Sequence, residues 1–111
     1  MESALIRPVI HLLLHVLLPF LVARRFSPEG YWRPFLLMML AWAIDLDHLL
    51  ATPIYQPDRC GIGFHPLHGV WMFALSLGLS AYPRTRWLGL GVLLHLLLDL
   101  SDCACLWLSL R

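Results

Sequence analysis

The chain has 111 residues, 59% of them hydrophobic and 14% charged, a more apolar and less charged balance than ordinary soluble domains carry. Its formal net charge is +1 and every one of its eight cations is Arg, so it offers no broad basic field and nucleic-acid binding is excluded. The polar shell that a soluble protein of this length needs is missing, which places the chain in the membrane class.

The pattern predicts an all-α integral membrane bundle of about four transmembrane helices, one domain over residues 1–111, with the lipid bilayer as its surroundings. The first span runs from about Pro8 to Ala23. Glu2 beside Arg7 ahead of it, two histidines inside it and Arg24-Arg25 behind it read as a retained helix, not a cleaved secretory signal. A polar turn, Arg24 to Gly30, leads to a second span from about Pro34 to Leu50, with Trp32 and Arg33 as interface anchors and Thr52-Pro53 as its stop. A longer loop covers Pro53 to Phe64. The third span, from about Pro66 to Ala81, ends at Tyr82-Pro83-Arg84, and the fourth runs from about Trp87 to Leu110. The first and third are short at 1.5 Å per residue and call for a thin or deformed bilayer.

Arg24, Arg25, Arg33, Arg84 and Arg86 fall on one side of this arrangement, and Arg7, Arg59 and Arg111 on the other. By the positive-inside rule both termini and the Pro53 to Phe64 loop lie outside.

The polar residues carry the argument further. All six histidines (11, 15, 48, 65, 68 and 95) and four acids (45, 47, 99 and 102) lie in or beside apolar spans. One uncompensated Asp at the centre of a spanning helix costs about 2.5–3.5 kcal/mol, and four cost on the order of 10 kcal/mol, so something must offset them. Following the spans up and down, His11, His15, Asp45, Asp47, His48, His65, His68, His95, Asp99 and Asp102 all fall toward the leaflet that bears the Pro53 to Phe64 loop. On each helix the spacing shares a face: His11 and His15 at i,i+4, Asp45 and His48 at i,i+3, and His95, Asp99 and Asp102 at i, i+4 and i+7. Asp47 is about 200° round from Asp45 on an ideal helix, so either it approaches from a second direction or the helix deforms.

Imidazole with carboxylate and no excess of thiolate suits a divalent metal: zinc, with manganese or iron as alternatives. The candidate metal ligands are His11, His15, Asp45, His48, His65, His68, His95 and Asp99. They outnumber what one ion takes, so one or two ions are expected, and a pair could hold a phosphoryl or acyl oxygen and activate water. The plain alternative is a buried polar network joining helices. Asp102 is either an exposed acid or the base that orients the attacking water. Cys60 and Cys103 share a membrane side and form a disulfide if that side is oxidising; a soft metal site or free thiols are the alternatives. Cys105 reads as a lipid-facing or packing residue. Arg59 either pairs with Asp58 or steers an anionic head group.

At His11-Leu-Leu-Leu-His15, Asp45-Leu46-Asp47-His48-Leu49, Arg59-Cys60-Gly61-Ile62-Gly63-Phe64-His65-Pro66-Leu67-His68 and His95-Leu-Leu-Leu-Asp99 with Asp102-Cys103, the chain resembles the YdjM-like membrane-bound metal-dependent hydrolases. These are small bacterial inner-membrane proteins, and the likeness is strongest to a short relative classed as a domain of unknown function. The resemblance covers nearly the whole chain and implies a metal-dependent hydrolase of the inner membrane, with Asp45, Asp47, His48, His65, His68, His95 and Asp99 matching the motif. It implies no substrate. Asp-x-Asp-His and the final His-x-x-x-Asp also resemble, distantly, the bacterial zinc-dependent phospholipase C pattern.

The expected function is hydrolysis of a lipid-linked ester, a phosphoester before a carboxyester, near the outer, periplasmic leaflet. The metal activates water, and Asp47 or Asp102 takes or orients its proton. No Gly-x-Ser-x-Gly element is present, which disfavours serine chemistry. A non-enzymatic metal-binding or metal-transporting protein, as a homo-oligomer that passes ions along its histidines, is the alternative, and a structural subunit of a larger membrane complex is a third reading.

Overall fold

The computed structural model describes residues 2–50, 60–63 and 65–109; the side chains at 2–5, 48 and 109 are not described. Among the described residues the chain is all helical. Helix α1 spans Glu2–Phe26, longer at both ends than the apolar run that predicts it. The reason is local: the residues before Pro8 form helix readily, and Arg24 and Arg25 sit in the last turn, where cations complement the helix dipole. At 25 residues α1 is about 37 Å long, and its apolar stretch, Ile6–Phe26, covers 21 of them. The Ser27 amide donates to the Ala23 carbonyl at 2.8 Å, and Pro28 prevents further winding.

The second span is split. Helix α2 covers Trp32–Met39 and the chain then tightens into a 3₁₀ helix over Leu40–Leu50. A run of 11 residues is unusual for this geometry, which rarely exceeds three or four. With a rise of about 2.0 Å per residue in place of 1.5 Å, it stretches a short span, and its three-residue turn rotates Asp47 relative to Asp45. A 3₁₀ turn at Pro66–His68 precedes α3 (Val70–Ala81), and α4 occupies Arg86–Ser109. The α3–α4 corner is closed by the Thr85 hydroxyl donating to the Leu79 carbonyl at 2.8 Å and Arg86 Nε donating to that of Ser80 at 3.1 Å. Both are carbonyls that a helix end leaves without internal partners.

Helix α4 is the centre of the assembly and is packed against α1, α2, α3 and the 11-residue 3₁₀ helix. Two glycines let it approach. A Cβ at Gly91 would lie 2.5 Å from Met38 Cα, and one at Gly89 would lie 2.7 Å from the Leu79 carbonyl carbon. Small residues of this kind allow helices to meet backbone to backbone. Ala41, Ile44, Met72, Val92 and Leu96 form the buried apolar cluster, with Ile62, Leu67 and Phe73 against it.

The distribution of polarity is inverted relative to a soluble fold. His15, Asp47, His65, His68, Ser76 and His95 are buried, while Leu12, Leu13, Leu17 and Leu21 of α1 face outward. Two stretches, Ile6–Phe26 and Arg86–Leu108, are long and apolar enough to cross a membrane, and Val70–Ala81 is a shorter apolar helix.

Candidate metal centre

The antiparallel α1 and α4 bring the first rungs of the site together. His15 meets His95 with ring centroids 4.5 Å apart, His11 Nε2 lies 2.9 Å from Asp99 Oδ1, and Arg7 Nε lies 3.3 Å from Asp102 Oδ1. Each step of about one turn down α1 matches one turn up α4. The i,i+4 and i,i+7 spacings are thus read by a facing helix, with Arg7–Asp102 as the outermost rung.

Two groups of donors converge. In the first, one atom each of Asp45, His68, His95 and Asp99 lie within 4.8 Å of one another. His68 Nε2 is 3.1 Å from Asp45 Oδ1 and 3.0 Å from Asp99 Oδ2; His95 Nε2 is 3.0 Å and 3.3 Å from the same two oxygens. A tetrahedral ion with bonds near 2.0–2.1 Å separates its ligand atoms by about 3.3 Å, so all four distances match such edges. In the second group, His11 Nε2 and His15 Nε2 lie 2.9 Å and 3.3 Å from Asp99 Oδ1. Asp99 therefore turns one oxygen to each group.

The histidines are oriented from behind. The Nδ1–H of His68 donates to Asp47 Oδ2 at 2.9 Å, and the same oxygen accepts the Leu67 amide at 2.7 Å. The Nδ1–H of His15 donates to the His11 carbonyl at 2.7 Å. A proton held on Nδ1 leaves a lone pair on Nε2, the tautomer that outer-shell acceptors impose on metal-binding histidines. That lone pair then faces carboxylate oxygens about 3 Å away, an acceptor against acceptors, unless a cation or a second proton lies between them. The donor set and its spacing thus fit a divalent metal. His95 differs, because its buried Nδ1 has no partner among the described atoms.

Asp47 does approach from a second direction: the His68 ring lies between Asp47 on its Nδ1 side and Asp45 on its Nε2 side. His65 is buried, and its ring is 5.7 Å from that of His68, but it belongs to neither converging group among the described residues. The His48 side chain and Arg59 lie outside what is described. Asp102 stands apart from both groups as the partner of Arg7. Trp42 packs edge-on to His15 at 6.1 Å, while Trp71 donates from Nε1 to the Pro66 carbonyl at 2.8 Å. Cys60 and Cys103 form a disulfide with Cα atoms 5.1 Å apart, which ties the chain just before Gly61 to α4 one turn beyond Asp99. Cys105 is a free, exposed thiol.

Sequence reading missed Gly89 and Gly91, two small residues in an otherwise bulky apolar run that let α4 approach two different neighbours, and the Arg7–Asp102 pair, which follows once α1 and α4 are set antiparallel. No curated protein and no solved structure matches the chain. Residues 5–106 match a family of unknown function, DUF6122, and the chain belongs to that family.

Proposed function

We propose that the chain is a multi-pass inner-membrane hydrolase dependent on a divalent metal, zinc in the first place, acting on a lipid phosphoester, as its resemblance to the YdjM-like proteins implies. The observation that carries this reading is the sharing of Asp99 between a four-donor and a three-donor group. Four protein ligands suit a closed structural ion, whereas two histidines and a carboxylate leave the open position that a hydrolytic site needs. Bound there, a divalent cation supplies Lewis acidity, which polarises a phosphoryl oxygen and makes water a stronger nucleophile at neutral pH. The residues do the rest. Asp47 and the His11 carbonyl hold the imidazoles in one tautomer, and Asp99 couples the two groups through its two oxygens. Asp102, the nearest acid beyond the ligands on α4, is in place to accept a proton if its pairing with Arg7 opens.

Serine chemistry gains no support, because the Ser76 and Ser101 hydroxyls donate to the backbone carbonyls of Phe73 and Leu98. The membrane setting is supported by the inverted polarity and by a long axis of 42 Å, close to the 40–45 Å of a bilayer with its head groups. The disulfide supports placing the site toward the oxidising, periplasmic side.

One observation favours a second reading. The first group's four protein donors would fill a tetrahedron and leave no room for substrate, as expected of a protein that only binds or passes metal. Elemental analysis of detergent-purified protein tests both readings: wild type should carry one to two ions per chain, and Asp99→Ala should lose nearly all of them. Unchanged metal in that variant removes the site. Metal-loaded protein that leaves a panel of lipid phosphoesters intact, yet conducts the ion into liposomes, selects the second reading.

A further inference from the structure

Of the two histidines in the first donor group, His68 has Asp47 behind its Nδ1, whereas the Nδ1 of buried His95 meets no acceptor among the described atoms. No water stands in for one there, since the pocket that His95 lines with Met38, Trp42, Leu94 and Leu98 has no room for a water molecule. A neutral imidazole carries a single N–H, on one nitrogen or the other. Nε2 can bind a metal only with that hydrogen on Nδ1, where in His95 it would be a buried donor without a partner and carry the full cost of its desolvation. On Nε2 the hydrogen has an acceptor: Nε2 lies 3.0 Å from Asp45 Oδ1 in hydrogen-bonding geometry and 3.3 Å from Asp99 Oδ2.

We infer that His95 is a positioning residue and not a ligand: it keeps its hydrogen on Nε2 and donates it to Asp45, aiming that carboxylate at an ion held by Asp45, His68 and Asp99. Asp45 gains most from such a hold, because its side chain is 43% exposed against 14% for Asp99, while both imidazoles are buried. Three protein ligands leave a fourth position open. The first group, like the second, then has room for an oxygen of the substrate, and its four donors no longer speak for a closed ion. The inference rests on the divalent-metal reading above and assigns the ligands within it.

The test uses the full chain in detergent with His11→Ala, which removes the second group so that a single ion is counted. The protein is stripped with a chelator and titrated with zinc against a chromophoric competitor. Adding His95→Leu should weaken binding about 10–100-fold, the range for loss of an outer-shell partner. His95→Gln, whose amide nitrogen reaches about as far as Nε2 and still donates, should recover most of that loss, whereas His68→Gln should bind no zinc. In zinc-loaded protein with nitrogen-15 histidine, long-range proton–nitrogen correlations should place the His95 hydrogen on Nε2 and the His68 hydrogen on Nδ1. This measurement needs no substitution at His95, so it decides the matter even where His95→Leu fails to fold. Loss of zinc in His95→Gln equal to that in His68→Gln, undiminished affinity in His95→Leu, or a hydrogen on His95 Nδ1 in the loaded protein overturns the inference and leaves the metal reading standing. Wild-type protein that takes up no zinc, manganese or iron removes the metal reading and the inference with it.

Discussion

His68 shows how much one side chain can be asked to do. Its ring is fully buried, with Asp47 on one nitrogen and Asp45 and Asp99 on the other. Asp47 is a positioning residue in this arrangement, because the oxygen that meets His68 also accepts the Leu67 amide and so fixes the turn that carries the ring. Removal of an outer-shell acceptor typically costs 10–100-fold in metal affinity. Asp47→Ala should therefore weaken metal binding by about that factor, measured by competition with a chromophoric chelator, while Asp99→Ala abolishes it. Equal losses in the two variants would mean that Asp47 ligates the ion directly. At this scale the sequence reveals the chemical types and their common depth, but not the division of labour between Asp45 and Asp47. Two acids separated by one residue look equivalent until the local winding of the backbone is known.

That winding belongs to the elements. The spans follow from apolar runs, and the ends of α3 and α4 agree with them within one residue except where α3 is preceded by its 3₁₀ turn. The long 3₁₀ stretch over Leu40–Leu50 carries no decisive periodic signal, since its apolar residues surround Asp45, Asp47 and His48 and an α-helix accommodates the same pattern. Helix contact is decided by Gly89 and Gly91. Gly91→Ala forces a methyl group against the Met38 backbone and should destabilise the bundle by about 1–3 kcal/mol. Gly78→Ala, where an added Cβ meets nothing within 4 Å, is the control and should be neutral or mildly stabilising. Thermal unfolding in detergent compares the two variants, and an undiminished melting temperature for Gly91→Ala would mean that α2 and α4 are farther apart than described.

Across the whole molecule the site is held by α1, by the second span, by the turn before α3 and by α4, so its integrity depends on elements far apart in sequence. The disulfide is the covalent tie among them, joining the segment that leads to His65 and His68 to the helix that carries His95 and Asp99. Such a bond is typically worth about 2–4 kcal/mol. Cys60→Ser with Cys103→Ser should lower the melting temperature and weaken metal binding, whereas reduction of Cys105→Ser protein should reproduce both effects. Full metal affinity after reduction would show that the helices alone assemble the donors.

The sequence by itself determined that the chain is helical and apolar, and counting along its spans placed together His11, His15, Asp45, His68, His95 and Asp99, which form the two donor groups. Those properties depend on composition and on counting residues along each span, and both are local. Tertiary structure alone decided which atoms face one another: that Asp99 divides its two oxygens between two donor groups, that Asp47 stands behind His68, and that Arg7 pairs with Asp102. Height along a helix is a sum over residues, but rotation about its axis is set by the neighbours it packs against, and for α4 those neighbours are α1, α2, the Leu40–Leu50 3₁₀ helix and α3.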